Sequence, residues 1–188
     1  MKKVISLITS NEGKVRSFNK ILKNKNYDLD IKILNWDYPE NKEEWTTSRV
    51  VLDWAKYCSD KYNMDVVVQD TGLFINSLKW FPWVNTKFAL QTIGNVWLLK
   101  LLEWEEDRTA EWIFSLGYCE RWWFPKEYTA TLKWSIANES IWNLGFWFDP
   151  IFIPDWYTDT FWENPDLRDD LSPFHITVDA LIKDILKK

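Results

Sequence analysis

At 188 residues, with 46% hydrophobic and 27% charged residues and a formal net charge of −5, the chain has the composition of an ordinary globular domain. The acidic balance argues against a general nucleic-acid surface, and no window approaches the roughly 20 apolar residues that cross a bilayer. Cys58 and Cys119 have neither metal-type nor redox-type spacing, so free buried thiols are expected, and the lone His175 cannot build a histidine metal site.

The N-terminal "MKKVISLITSNEGK" has too short an apolar run for a signal segment, and Asn11 and Glu12 follow at once. It reads as the first strand of a cytoplasmic protein. Lys3–Ile8 alternates into β-branched residues and breaks at "TSNEGK". "KVRSFNKILKN" then places Val15, Phe18, Ile21 and Leu22 at helical spacing. Leu29–Leu34 reads as a second strand. Thr46 to Tyr62 is a helix with Val50, Val51, Ala55 and Cys58 on one side. In "DVVVQDTGLFI", Val66–Val68 form an interior strand, Gln69-Asp70-Thr71-Gly72 its end, and Leu73–Ile75 its continuation. Gly94–Leu102 reads as a short helix, Thr109–Cys119 and Tyr128–Ile136 as long neighbouring strands. "GFWFDPIFIP" reads as a strand ending at Pro154, and Asp179–Leu186 as the closing helix. With no repeat, linker or low-complexity segment, residues 1–188 are expected to form one α/β domain with a mixed sheet.

Three stretches could carry chemistry. "TSNEGK" lies between a strand and a helix, where backbone N–H groups favour an anion. Lys14 adds a point charge there, and Asn11 a further donor. A plain turn with Ser10 or Asn11 as helix N-cap accounts for the same residues. "QDTGL" places Asp70 directly after a buried strand, where open α/β sheets bind ligands. A carboxylate there could hold Mg²⁺ or orient a water. A turn-forming Asp followed by a turn Gly is the alternative. In "GFWFDPIF" the aromatics suit a flat heterocycle and Asp149 could accept from ring N–H groups. In isolation an aromatic core strand ended by Asp-Pro is the better reading.

Together these motifs resemble the inosine triphosphate pyrophosphatase family, the XTP/dITP diphosphatases. "TSNEGK" is similar to its T-G-N-x-x-K loop, and "QDTGLFINSLKWFPWV" to its D/E-D-[ST]-G-L and A-L-x-G-x-P-G-V signature. "TIGNVWLLKLLE" and "GFWFDPIFIPDWYTDTFWE" are similar to T-I-G-N-x-G-L-L-x-L-L and G-F-G-Y-D-P-I-F-x-P-x-G-x-x-x-T-F-A-E. The resemblance covers most of the chain. It implies an elongated mixed sheet with flanking helices, two lobes around a central cleft, and a homodimer. The implied reaction is Mg²⁺-dependent hydrolysis of ITP, dITP or XTP to the monophosphate and pyrophosphate, which cleanses the nucleotide pool. In that reading Asp70 activates water and holds the metal. Thr9, Ser10, Asn11, Lys14 and Thr71 bind substrate with Lys87 and Arg168, and Phe146 and Asp149 hold the base.

Departures from the family pattern keep two other readings open, a related enzyme with another base preference and a nucleotide-binding homologue without catalysis. Ser17, Ser48 or Arg49, and Gln69 stand where the family carries acidic residues. Arg168 stands at the Lys of K-N-x-I-S-H-R, and Pro173-Phe174 replaces its His-Arg, with His175 nearby.

A second anomaly is compositional. There are 15 Trp and 5 Gly, where average usage gives about 13 Gly. Trp80, Trp83, Trp97, Trp147 and Trp156 fall where the family carries Gly, as do Trp54, Trp104, Trp134 and Trp142. Glycines at such turns supply positive φ or close approach, and Trp supplies neither. A coding origin is expected, because UGA is read as Trp in some genetic codes and as Gly in others.

Overall fold

The computed structural model describes residues 3–25, 27–35, 46–141 and 147–187. Its strands form a seven-stranded mixed sheet in the order β2-β1-β3-β5-β6-β7, with β4 paired to β3. By internal contacts the chain forms two compact units. The first comprises residues 1–70, 114–130 and 174–188, the second residues 71–113 and 131–173.

In the first unit, β1 (Lys3–Ile8) is buried from Ile5 onward because it lies between two parallel partners. It pairs with β2 (Leu29–Leu34) along its whole length and with the start of β3 (Val66–Ile75) at Ser6↔Val66 and Leu7↔Val67. The amphipathic helix α1 (Glu12–Lys25) turns Phe18 and Ile21 inward. Helix α2 (Thr47–Tyr62) opens on Thr46, whose hydroxyl accepts from the Arg49 N–H at 3.2 Å. It closes on Asn63 in the left-handed conformation and buries Val50, Val51, Trp54, Ala55 and Cys58. The last helix, α6 (Pro173–Leu186), packs Phe174, Val178, Leu181, Ile182 and Ile185 into a core with Ile5, Leu7, Phe18 and Leu116. Tyr128 and Lys126 both donate to Asp184 Oδ2, at 2.5 and 2.6 Å, fixing the end of this helix. Burial, reinforced by that carboxylate, raises the Tyr128 phenol well above its ordinary pKa.

The second unit holds β4 (Pro82–Trp83), α3 (Thr86–Thr92), α4 (Gly94–Leu101), β7 (Phe152–Pro154) and α5 (Pro165–Asp170). Parts of β5 (Thr109–Cys119) and β6 (Lys126–Ile136) also belong to it. Its core is aromatic: the Trp134 ring centroid lies 5.1 Å from Trp112, 4.5 Å from Phe152 and 4.9 Å from Phe161. Arg108 donates to the carbonyls of Leu102, Ile136 and Ala137 at 2.6–2.8 Å, satisfying loop groups that would otherwise be desolvated without partners.

Several expectations are corrected. "QDTG" is not a strand end: β3 runs unbroken from Val66 to Ile75. Its first half is held by β1 and its last residues by β4, at Leu73↔Trp83 and Phe74↔Pro82. Residues 147–151 are turns, so the strand there is only Phe152–Pro154. Helices α3 and α5 were not anticipated, and α6 begins at Pro173 rather than Asp179. Proline suits a first helical turn because its missing N–H would be unsatisfied there anyway.

Both cysteines are free and buried. Burial pushes the Cys58 thiol up to about 11, an effect that the Lys61 ammonium only partly offsets. Cys58 is therefore protonated and inaccessible at pH 8. Its alkylation by a thiol reagent should run about 10³-fold slower in buffer than in urea, because reaction must wait for opening.

Candidate active site

The loop after β1 is organised by its own side chains. Thr9 is buried (8% exposed), and its hydroxyl accepts from the Asn11 N–H at 3.0 Å. Asn11 Oδ1 in turn accepts from the Gly13 N–H at 2.8 Å and the Lys14 N–H at 3.3 Å. Asn11 is thus the N-cap of α1, and Ser10 beside it is exposed. The cap leaves the carboxamide nitrogen, a double donor, as the polar end not used in holding the helix. Asn11→Ala should remove both contacts at a cost of about 1 kcal/mol, lowering the thermal midpoint by about 2–4 °C.

Lys14, one turn into α1, is half-buried and donates from Nζ to the Gln69 carbonyl at 2.8 Å. This bond ties the polar loop to β3 at the residue before Asp70. Gln69 is buried (7% exposed) and Asp70 half-buried. Mid-strand alternation makes neighbouring side chains point to opposite faces, so Gln69 and Asp70 do not share a face of the sheet. The structure therefore brings Thr9, Asn11, Lys14 and Asp70 into one unit, on the opening strand–loop–helix and the strand beside it.

The remaining expected residues belong to the second unit. Thr71 continues β3. Lys87 is exposed in the first turn of α3, whose neighbour Thr86 accepts from the Leu73 N–H at 2.8 Å and donates to the Trp83 carbonyl at 2.6 Å. Asp149 is buried (6% exposed) in the turn before β7, and its carbonyl accepts from the Trp162 N–H. Arg168 lies in α5. Phe146 lies outside the described residues.

Two substitutions noted in the sequence acquire a structural meaning. Ser48 donates to Glu127 Oε2 at 2.5 Å, and Glu127 also accepts from the Thr129 hydroxyl, so this carboxylate is held by hydroxyls on its own unit. Phe174 is a core residue, 4% exposed, with its ring 5.0 Å from Phe18 in an edge-to-face contact. Its side chain carries no hydrogen-bonding group. His175, its neighbour, is half-buried on α6. Sequence reasoning missed the Ser48–Glu127 pairing because the partners are far apart in the chain.

Among the described residues no three His, Cys, Asp or Glu side chains gather into a metal-holding group. Asp70 is the carboxylate that the family resemblance assigns to the metal. A carboxylate fits an ion such as Mg²⁺, which keeps several waters and is bound through one or two carboxylates plus substrate phosphates.

A mixed sheet, an Asn-capped loop leading from its opening strand, and a lysine anchoring that loop at the residue before a mid-strand aspartate define the class, an α/β protein. Solved structures share the fold. The chain superposes on a HAM1 protein from Coxiella burnetii with a TM-score of 0.81 at 21% identity, covering 99% of this chain and 100% of that one. A nucleoside-triphosphatase, dITP/XTP pyrophosphatase, from Mycobacterium abscessus gives 0.76 at 22% identity, covering 95% and 97%. The chain belongs to the Ham1 family, whose model matches residues 5–182. Sequence relatives include a dITP/XTP pyrophosphatase of Methanopyrus kandleri, 38% identical over 82% of this chain and 81% of that protein. Another, from Pyrococcus horikoshii, is 37% identical over 85% and 83%.

Proposed function

We propose that the protein hydrolyses dITP, XTP and ITP to the nucleoside monophosphate and pyrophosphate, cleansing the cytoplasmic nucleotide pool as a homodimer. The observation that carries this reading is the Lys14–Gln69 bond. It ties the Asn11-capped loop to β3 at the residue before Asp70, which supports the reading in a chain that aligns with dITP/XTP pyrophosphatases over about four-fifths of its length. Consistent with a second copy, α3 and α4 carry exposed Phe88, Val96 and Leu101. No described helix is long and apolar enough to cross a membrane.

In this mechanism Asn11, Ser10 and Thr9 position the phosphates from the loop, and Lys14 neutralises charge that develops on the leaving pyrophosphate. Asp70 accepts the proton of the attacking water as its oxygen bonds to phosphorus and the α,β-anhydride bond breaks. Mg²⁺, held by Asp70 and the substrate's phosphates, would supply charge neutralisation of the triphosphate. The family resemblance assigns Thr71, Lys87 and Arg168 to substrate binding and Phe146 and Asp149 to the base.

Incubation with Mg²⁺ and a panel of nucleotides tests the reading. Pyrophosphate from dITP, XTP and ITP but not from ATP or GTP supports it, and tight binding without release refutes it. The burial of Phe174 favours a second reading, an enzyme of the same reaction with broader base preference. In that case ATP or GTP would also turn over.

A further inference from the structure

Among the described residues five tryptophans have a left-handed backbone: Trp80 (φ 74°), Trp83 (53°), Trp122 (67°), Trp147 (58°) and Trp156 (73°). That region crowds Cβ against the following carbonyl, and bulky residues are genuine outliers there. The described non-glycine residues that share it are Asn63, a common helix C-cap type, and Lys79.

Packing does not compensate at three of them. Trp80, Trp122 and Trp156 are 61%, 75% and 100% exposed. Each is the third residue of a hydrogen-bonded turn: Leu78 O accepts from Phe81 N, Glu120 O from Trp123 N, and Pro154 O from Tyr157 N, at 3.0–3.1 Å. A positive φ at that position of a turn is the place of glycine. Trp122 is informative because its turn lies outside every family motif recognised in the sequence. Its geometry points to glycine without any resemblance.

We propose that residues Trp80, Trp83, Trp122, Trp147 and Trp156 are glycine in the protein as its own cell makes it, because UGA codons at these positions are read there as glycine. The reading joins the backbone geometry to the composition of 15 Trp against 5 Gly. On the proposed function it also bears on substrate binding, since Trp147 stands two residues before Asp149. Trp134 in β6 and Trp97 in α4 have no such backbone signature, and the proposal does not include them.

Reading the five codons tests it directly, together with peptide mass spectrometry of the protein isolated from its own cells. UGA codons and glycine masses at the five positions are expected, whereas UGG codons or tryptophan masses overturn the proposal. In recombinant protein carrying the tryptophans, the combined Trp80→Gly, Trp122→Gly and Trp156→Gly change should raise the thermal midpoint by about 5 °C. An unchanged or lowered midpoint counts against the proposal.

Discussion

Asp70→Asn is expected to lower kcat for pyrophosphate release by about 10²–10⁴-fold, the range a positioned general base contributes. The substitution keeps the shape of the side chain, and β3 is held at both ends by backbone pairing, so the fold should persist. What is lost is a negative charge and a proton acceptor. Pyrophosphate release from dITP with Mg²⁺, measured beside the thermal midpoint, separates the two possibilities. A large fall in kcat with little change in the midpoint identifies a group acting on the reaction. Retention of kcat within about threefold would place water activation elsewhere.

Gly117→Ala is expected to be the most destabilising single methyl in the first unit. A Cβ on Gly117 would lie 2.2 Å from the Val51 carbonyl oxygen and 2.7 Å from its carbon. Both are backbone atoms of α2, so the conflict cannot be relieved by a rotamer change. Either the helix moves off β5 or the strand bends, and overpacking of this kind costs about 3 kcal/mol. The thermal midpoint should drop by about 6–12 °C, which differential scanning fluorimetry would resolve. Gly94→Ala is a useful contrast. No atom lies within 4 Å of the added Cβ, and the penalty there comes only from a φ of +63°. A loss at Gly117 no larger than at Gly94 would mean that helix and strand can separate freely.

The sequence was a good guide wherever one element's own pattern carries the information. Lys3–Ile8, Leu29–Leu34 and Thr109–Cys119 match their strands end for end, and Thr46 was correctly placed at the start of α2. Val50, Val51, Ala55 and Cys58 share a helical face and are all buried, as a 3.6-residue period requires. The strand–loop–helix around Asn11 and Lys14 was also legible. The capping reading of that loop holds, with Asn11 capping the helix through its oxygen and keeping donor hydrogens on its nitrogen. The polar run Gln69–Gly72 misled because turn-forming residue types imitate a strand end. In the fold that run is bounded by pairing on both sides.

By itself, the sequence determined the α/β class and the family, since these rest on local periodicity and on motifs contiguous in the chain. Only the tertiary structure decided that Asp70 sits mid-strand and that Lys14 reaches the Gln69 carbonyl 55 positions away. It likewise decided that Ser48 serves Glu127 and that Phe174 fills the core against Phe18. Each of these depends on a partner distant in sequence, and no local pattern encodes which distant partner a side chain will meet. The tryptophans belong to both. Their number was plain from composition, but the positive φ that makes five of them anomalous is a property of turns closed by the fold.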